Sequence, residues 1–179
     1  MFIVDGHDND LFFFEGRTDV RRCPSCGLLL SKWDEDISNV MIPRRLKLDV
    51  SASYDGVDVV SPRFRELYER AGMSGLEFIP LTNDFWSVRA LAVVVFDARR
   101  RGTRFENQCE ACGQYESVIG SSPAYLVGGS EVPDMGFART DLEFASEDEK
   151  SPVLICGDAA AEVLRDANLR GLELEPVGR

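Results

Sequence analysis

Histidine is almost absent from this 179-residue chain: His7 is the only one. A cysteine or serine nucleophile therefore has no imidazole near it in sequence to serve as its base. The zinc-deaminase pattern, H-x-E followed by P-C-x-x-C, is missing too, because His7 is followed by Asp8 and Asn9, and Arg22 and Gln108 precede the two CxxC pairs. No Gly-x-Ser-x-Gly elbow and no phosphate loop occur, so the expectation is a protein that is not an enzyme. Basic residues are also scarce, 20 Lys and Arg against 31 Asp and Glu for a formal charge of −11. That balance repels nucleic acid and anionic membranes and suits a basic partner. Long apolar runs are lacking as well. The longest, Ala90 to Phe96, is far below the roughly 20 residues of a membrane span, and Asp5, His7, Asp8 and Asp10 break up the opening before a leader or anchor can form. The expected location is cytoplasmic, where five cysteines do not make a disulfide framework.

What is present suffices for a core. Hydrophobic residues make up 44% and charged residues 28%, an ordinary globular composition, and a chain of this length buries roughly 70% of its unfolded surface. Four of the cysteines form two copies of one pattern, Cys23-Pro24-Ser25-Cys26-Gly27 and Cys109-Glu110-Ala111-Cys112-Gly113. A two-residue spacer lets both thiolates of a turn reach one ion, and the glycine permits the backbone to turn amides toward sulfur. Two such knuckles make a closed four-thiolate site for structural zinc on Cys23, Cys26, Cys109 and Cys112, with iron as the substitute metal. The 82 residues between Cys26 and Cys109 mean that only folding can bring the knuckles together. Two separate thiol-disulfide sites, or four unliganded thiols, are the other readings, although neither copy precedes an amphipathic helix of the kind that activates a redox CxxC. Arg21 and Arg22 precede the first knuckle, and Arg99, Arg100, Arg101 and Arg104 the second. Guanidinium groups there would offset a site of formal charge near −2 and donate to sulfur, or else form a patch for nucleic acid. Cys156, within Val153-Leu154-Ile155-Cys156, reads as a buried strand residue.

An offset of 96 residues aligns 57–80 with 153–176 without gaps, with identities at Val57/Val153, Glu66/Glu162, Ala71/Ala167, Gly75/Gly171, Leu76/Leu172, Glu77/Glu173 and Pro80/Pro176. Each copy predicts a strand (Val57 to Val60, Val153 to Cys156), a helix start (Ser61-Pro62, Asp158) and a helix burying Phe64, Leu67 and Tyr68 or Ala160, Val163 and Leu164. A left-handed residue (Gly72, Asn168) with an apolar contact (Met73, Leu169) ends each helix, and a strand from Leu76 to Pro80 or Leu172 to Pro176 follows. The expected fold class is α+β: two tandem related halves, each a CxxCG zinc knuckle with antiparallel or mixed strands and one main helix, stapled by the shared four-cysteine site. The chain then forms one compact domain, 1–179, with halves 21–81 and 107–179 joined by a connecting strand and Arg-rich segment, 82–106. Ala90 to Phe96 is expected as one strand, Gly120 to Met135 as a loop with a short strand at Tyr125 to Val127, and Leu11-Phe12-Phe13-Phe14 as a core or edge strand.

The two CxxCG copies, together with Ser61-Pro62-Arg63-Phe64-Arg65-Glu66-Leu67 and Gly171-Leu172-Glu173-Leu174-Glu175-Pro176, resemble the double-CXXCG motif family, a paralogous family expanded in myxobacteria. The likeness runs from about Arg21 to the C-terminus. It implies a zinc-stapled cytoplasmic immunity protein that binds and neutralises a cognate toxin. The cysteines carry over; no toxin-contacting residue does. A basic toxin would be steered by acidic surface, for which Asp34-Glu35-Asp36 and Glu147-Asp148-Glu149 are the candidate patches, each also readable as a solvated turn. The alternative function is a zinc-ribbon nucleic-acid-binding or transcription-associated module.

Overall fold

The computed structural model describes residues 1–38 and 40–178; Asn39 and Arg179 lie outside the described residues. In chain order it contains β1 (Phe2–Asp8), β2 (Val50–Ala52), β3 (Asp58–Val60), α1 (Pro62–Arg70), β4 (Leu76–Pro80), β5 (Trp86–Ala90) and β6 (Ala92–Val94). Then follow α2 (Ala98–Arg101), β7 (Arg104–Gln108), β8 (Tyr115–Ile119), β9 (Phe137–Ser146), β10 (Ser151–Cys156), α3 (Asp158–Asp166) and β11 (Leu172–Pro176). The fold is α+β, with a mixed sheet and few helices.

The strands follow the order β4-β5-β3-β2-β1-β10-β9-β8-β7, with β11 on β1 and β6 on β9. Pairing is antiparallel except for β1 with β2 and β6 with β9. The first strand joins the two ends of this arrangement. Phe2 and Ile3 face Cys156 and Ile155 of β10, residues Phe2 to Gly6 pair with β11, and His7 and Asp8 then pair with Ser51 and Ala52 of β2. At the crossover a Cβ on Gly6 would stand 2.6 Å from the Ser51 backbone, so only glycine lets the two backbones approach.

Both main helices form where the local signals place them. Ser61 caps α1, its hydroxyl accepting from the Phe64 N–H, and Pro62 occupies the first turn. Nine residues are too few for a stable isolated helix, so packing holds α1 in place. Phe64 and Leu67 go into the core, each contributing roughly 1.5–3 kcal/mol. The equivalent face of α3 buries Ala160, Ala161 and Leu164 in the same cluster, with Val4, Val60 and Phe137. The helix α3 opens at Asp158 as expected. Its N-cap is Gly157, where a Cβ would stand 2.2 Å from the Pro133 carbonyl oxygen. Gly72 (φ 68°) and Asn168 (φ 48°) are left-handed after the helices, and Met73 and Leu169 are buried beside them.

Three expected strands are absent or altered. Ala90 to Phe96 breaks at Leu91, whose N–H turns to the Gly75 carbonyl, so β5 and β6 join different neighbours. Tyr125 to Val127 makes only isolated bridges, Tyr125 to Gly178 and Leu126 to Phe96. Leu11 to Phe14 is a core loop. Phe13 and Phe14 are buried, but their N–H groups donate to the Asp55 carboxylate at 2.6 and 2.7 Å, which replaces a partner strand.

One buried carboxylate ties distant segments together. Asp49, 1% exposed, accepts from the Ser61 hydroxyl (2.9 Å), the Arg170 N–H (2.9 Å) and the Arg63 guanidinium (3.0 Å). Burial raises its pKa, but the Arg170 N–H and guanidinium and the Ser61 hydroxyl outweigh burial and hold it below the usual carboxylate range. A lowered folded-state pKa stabilises the fold above the unfolded value, about 3.9, and the stabilisation is lost as pH falls through the folded value. Asp49→Asn should therefore cost about 1–3 kcal/mol in urea unfolding at pH 7. The gap to the parent protein should narrow at pH 3, and an unchanged gap would rule out the charge as its source.

Candidate metal centre

The two knuckles fold alike. In the first, the Cys23 N–H donates to the Leu28 carbonyl and the Gly27 N–H to the Cys23 carbonyl, both at 2.8 Å. In the second, the Cys109 N–H donates to Gln114 and the Gly113 N–H to Cys109, again at 2.8 Å. Gly27 (φ 80°) and Gly113 (φ 77°) are left-handed, and a Cβ at either would meet nothing within 4 Å, so conformation and not space calls for glycine. The second knuckle is the tip of the β7–β8 hairpin, while the first is a loop closed by an isolated bridge between Arg22 and Leu29. Neither opens a helix.

Folding brings the four predicted cysteines together. Cys23 Sγ lies 3.9 Å from Cys109 Sγ, Cys26 Sγ lies 3.8 Å from Cys112 Sγ, and all four sulfurs are within 4.8 Å of one another. A tetrahedron with metal–sulfur bonds of about 2.3 Å has sulfur–sulfur edges of about 3.8 Å, so the cluster is close enough to hold one ion. A disulfide needs about 2.05 Å, and all five cysteines are free. Backbone amides aim at sulfur as the knuckle pattern requires. N–H groups of Cys26 and Ser25 push the Cys23 thiol down to about 6, and those of Cys112 and Ala111 lower Cys109. The Leu28 N–H also lowers Cys26, but burial and the neighbouring thiols outweigh it and push that thiol up to about 12. Four unliganded sulfurs must share protons in this way, whereas a cation would hold all four as thiolates.

The surroundings correct the expectation about arginine. Among the described residues no guanidinium hydrogen-bonds to a sulfur. Arg22 instead braces the first knuckle from outside, donating to the Gly27 carbonyl (2.9 Å) and the Asp148 carboxylate (2.6 Å). Asp148 also accepts from the Leu29 N–H, and Gln114 donates to the Leu29 carbonyl at 2.8 Å, linking one knuckle to the other. Arg100 stacks over Tyr125, with 4.4 Å from guanidinium carbon to ring centroid, and Arg101 donates to the Ser122 carbonyl. Asp148, taken above as part of a surface patch, is thus structural. In the other patch, Asp34 and Glu35 both face Arg21. No sequence signal marked Gln114 or the bracing role of Asp148, since each acts on a segment more than 80 residues away.

The remaining candidates lie elsewhere. His7 is exposed and faces Glu173 at 2.8 Å, and no histidine joins the sulfur cluster. Cys156 is fully buried in β10, where burial pushes its thiol up to about 12. No helix among the described residues is long and apolar enough to cross a membrane. The expected stoichiometry is one metal ion per chain, lost when any of the four clustered cysteines becomes serine, as elemental analysis can check. In the metal-loaded protein an alkylating reagent should modify no cysteine. After chelation four should react, and Cys156 only on unfolding. Among known proteins, no family model matches the chain and no curated protein matches it.

Proposed function

We propose that the chain is a non-catalytic binding protein built on a structural zinc ion, and that it acts as a cytoplasmic immunity protein neutralising a basic protein toxin. The observation that carries this reading is the closed set of four sulfurs. A four-thiolate shell leaves no position for water or substrate, which separates structural from catalytic zinc. Its all-sulfur donors favour zinc, with iron the competing ion. The formal charge of −11 adds long-range attraction for a basic partner, and the resemblance to the double-CXXCG family supplies the toxin. The nucleic-acid alternative loses its motivation where Arg22, Arg100 and Arg101 are engaged within the chain.

The same reading takes the chain as two related halves, and strand register supports it. Val60 faces Trp86 as Cys156 faces Phe2, and Pro80 faces Trp86 as Pro176 faces Phe2. The Leu91 N–H donates to Gly75 as the His7 N–H donates to Gly171. A Cβ on Gly75 would meet Phe137 at 2.6 Å, and one on Gly171 would meet Val50 at 2.4 Å. On this reading the repeat reaches past its sequence bounds: β1, ahead of the first half, serves the second half's sheet as β5, from the connecting segment, serves the first's. The like sulfur pairs Cys23/Cys109 and Cys26/Cys112 face each other between the halves.

Co-expression tests the function. A host making the toxin encoded beside this gene should survive when the parent protein is present and die with Cys26→Ser. Survival that needs no clustered cysteine, or death with the parent protein, would overturn the proposal.

A further inference from the structure

A groove of about 440 Å³ lies between the segments that leave the two knuckles. Leu29, Leu30 and Trp33, which follow the first knuckle, line one side, and Phe105 and Tyr115, which flank the second, line the other. Leu30 and Phe105 remain 43% and 40% exposed, and the Phe105 and Tyr115 ring centroids lie 5.1 Å apart. The Gln114 bond to Leu29 links the segments that form these walls.

Its charges are unevenly available. Four carboxylates and two lysines line it. Both lysines turn into the chain: Lys32 Nζ donates to the carbonyls of Asp55 and Asp148 at 2.6 and 2.9 Å, and Lys150 Nζ to those of Glu147 and Glu116 at 2.7 and 3.3 Å. Asp148 is engaged by Arg22. Glu143 accepts from the Trp33 indole through Oε1 at 2.7 Å, its Oε2 takes part in no hydrogen bond or ion pair among the described residues, and its charge acts at longer range on Lys32 and Lys150. A carboxylate with one such oxygen, beside the exposed Phe105 ring, the half-buried Tyr115 ring and aliphatic walls, suits a flat, weakly hydrated cation on an apolar stem. Guanidinium meets that description better than ammonium, since it both stacks on rings and bonds carboxylates through a planar fork.

We propose that this groove receives an arginine side chain presented by a basic protein partner, its guanidinium set between Glu143 and the Phe105–Tyr115 rings and its methylenes against Leu29 and Leu30. Phosphates of a nucleic acid would meet an excess of carboxylates over lysines here and be repelled. The partner's identity rests on the binding-protein reading above; recognition of arginine does not.

Titration of the ¹⁵N-labelled, zinc-loaded protein with N-acetyl-arginine methylamide tests it, read at the Trp33 indole N–H. Trp86, already covered by Arg65 at 4.6 Å from its centroid, is the internal reference. The expected result is a saturable shift at Trp33 and not at Trp86, with a dissociation constant on the order of 1 mM for so small a ligand. Glu143→Gln, which keeps an acceptor for the indole, should weaken binding about three- to fivefold, as for a partly exposed ion pair. Phe105→Ala should weaken it too, and N-acetyl-norleucine methylamide should not bind. A flat titration, equal binding of the norleucine compound, or unchanged affinity in both variants would overturn the groove. In the co-expression host, a protective parent protein with a flat titration defeats the groove alone, whereas arginine binding without protection defeats the immunity reading alone.

Discussion

Four sulfurs within 4.8 Å of one another are the constraint on which the surrounding structure depends. As thiols they must share protons, and as thiolates they repel unless a cation sits among them. The chain answers with two knuckles that turn amides toward sulfur, and with braces that act from outside, Arg22 on Gly27 and Gln114 on Leu29. A positive ion held among them would complete what the amides begin. The groove between Trp33 and Phe105 is a by-product of the same meeting, because its walls leave opposite knuckles.

The sheet makes that meeting possible. By pairing with β10 and β11 before passing to β2, β1 joins the two sides of the sheet. Two devices keep the crossing tight. Gly6 lets β1 approach Ser51, and Asp49 fastens the start of α1 to the turn at Arg170. Neither touches a cysteine, yet both fix the frame from which the knuckles project. On the two-half reading, β1 and β5 play matching parts in the two sheets, and a metal bound among the sulfurs would lock an arrangement the backbone has already chosen.

Much of this was legible because it is local. The Ser61-Pro62 start, the left-handed residues at Gly72 and Asn168, and the strands Leu76–Pro80 and Leu172–Pro176 follow from neighbours within a few residues. What failed depended on distant partners. Nothing near Leu11 to Phe14 reveals that Asp55 takes the Phe13 and Phe14 amides in place of a strand. Nor does anything near Ala90 to Phe96 reveal the break at Leu91, which the Gly75 carbonyl decides. The arginines misled for a related reason: adjacency to cysteine in sequence fixes no direction for a long side chain.

The sequence by itself determined that two CxxCG knuckles exist, that Cys156 belongs in a strand, and that each helix carries its own start and stop, since a two-residue spacer, an apolar run and a capping residue act through local geometry. Only the tertiary structure decided that sulfurs with 82 residues between them share one volume, that Asp148 is a brace instead of a surface charge, and that Glu143 bonds the Trp33 indole beside the exposed Phe105 ring. Those outcomes depend on long-range strand pairing and on which carbonyls and carboxylates finally face each other, and no spacing along a chain encodes that.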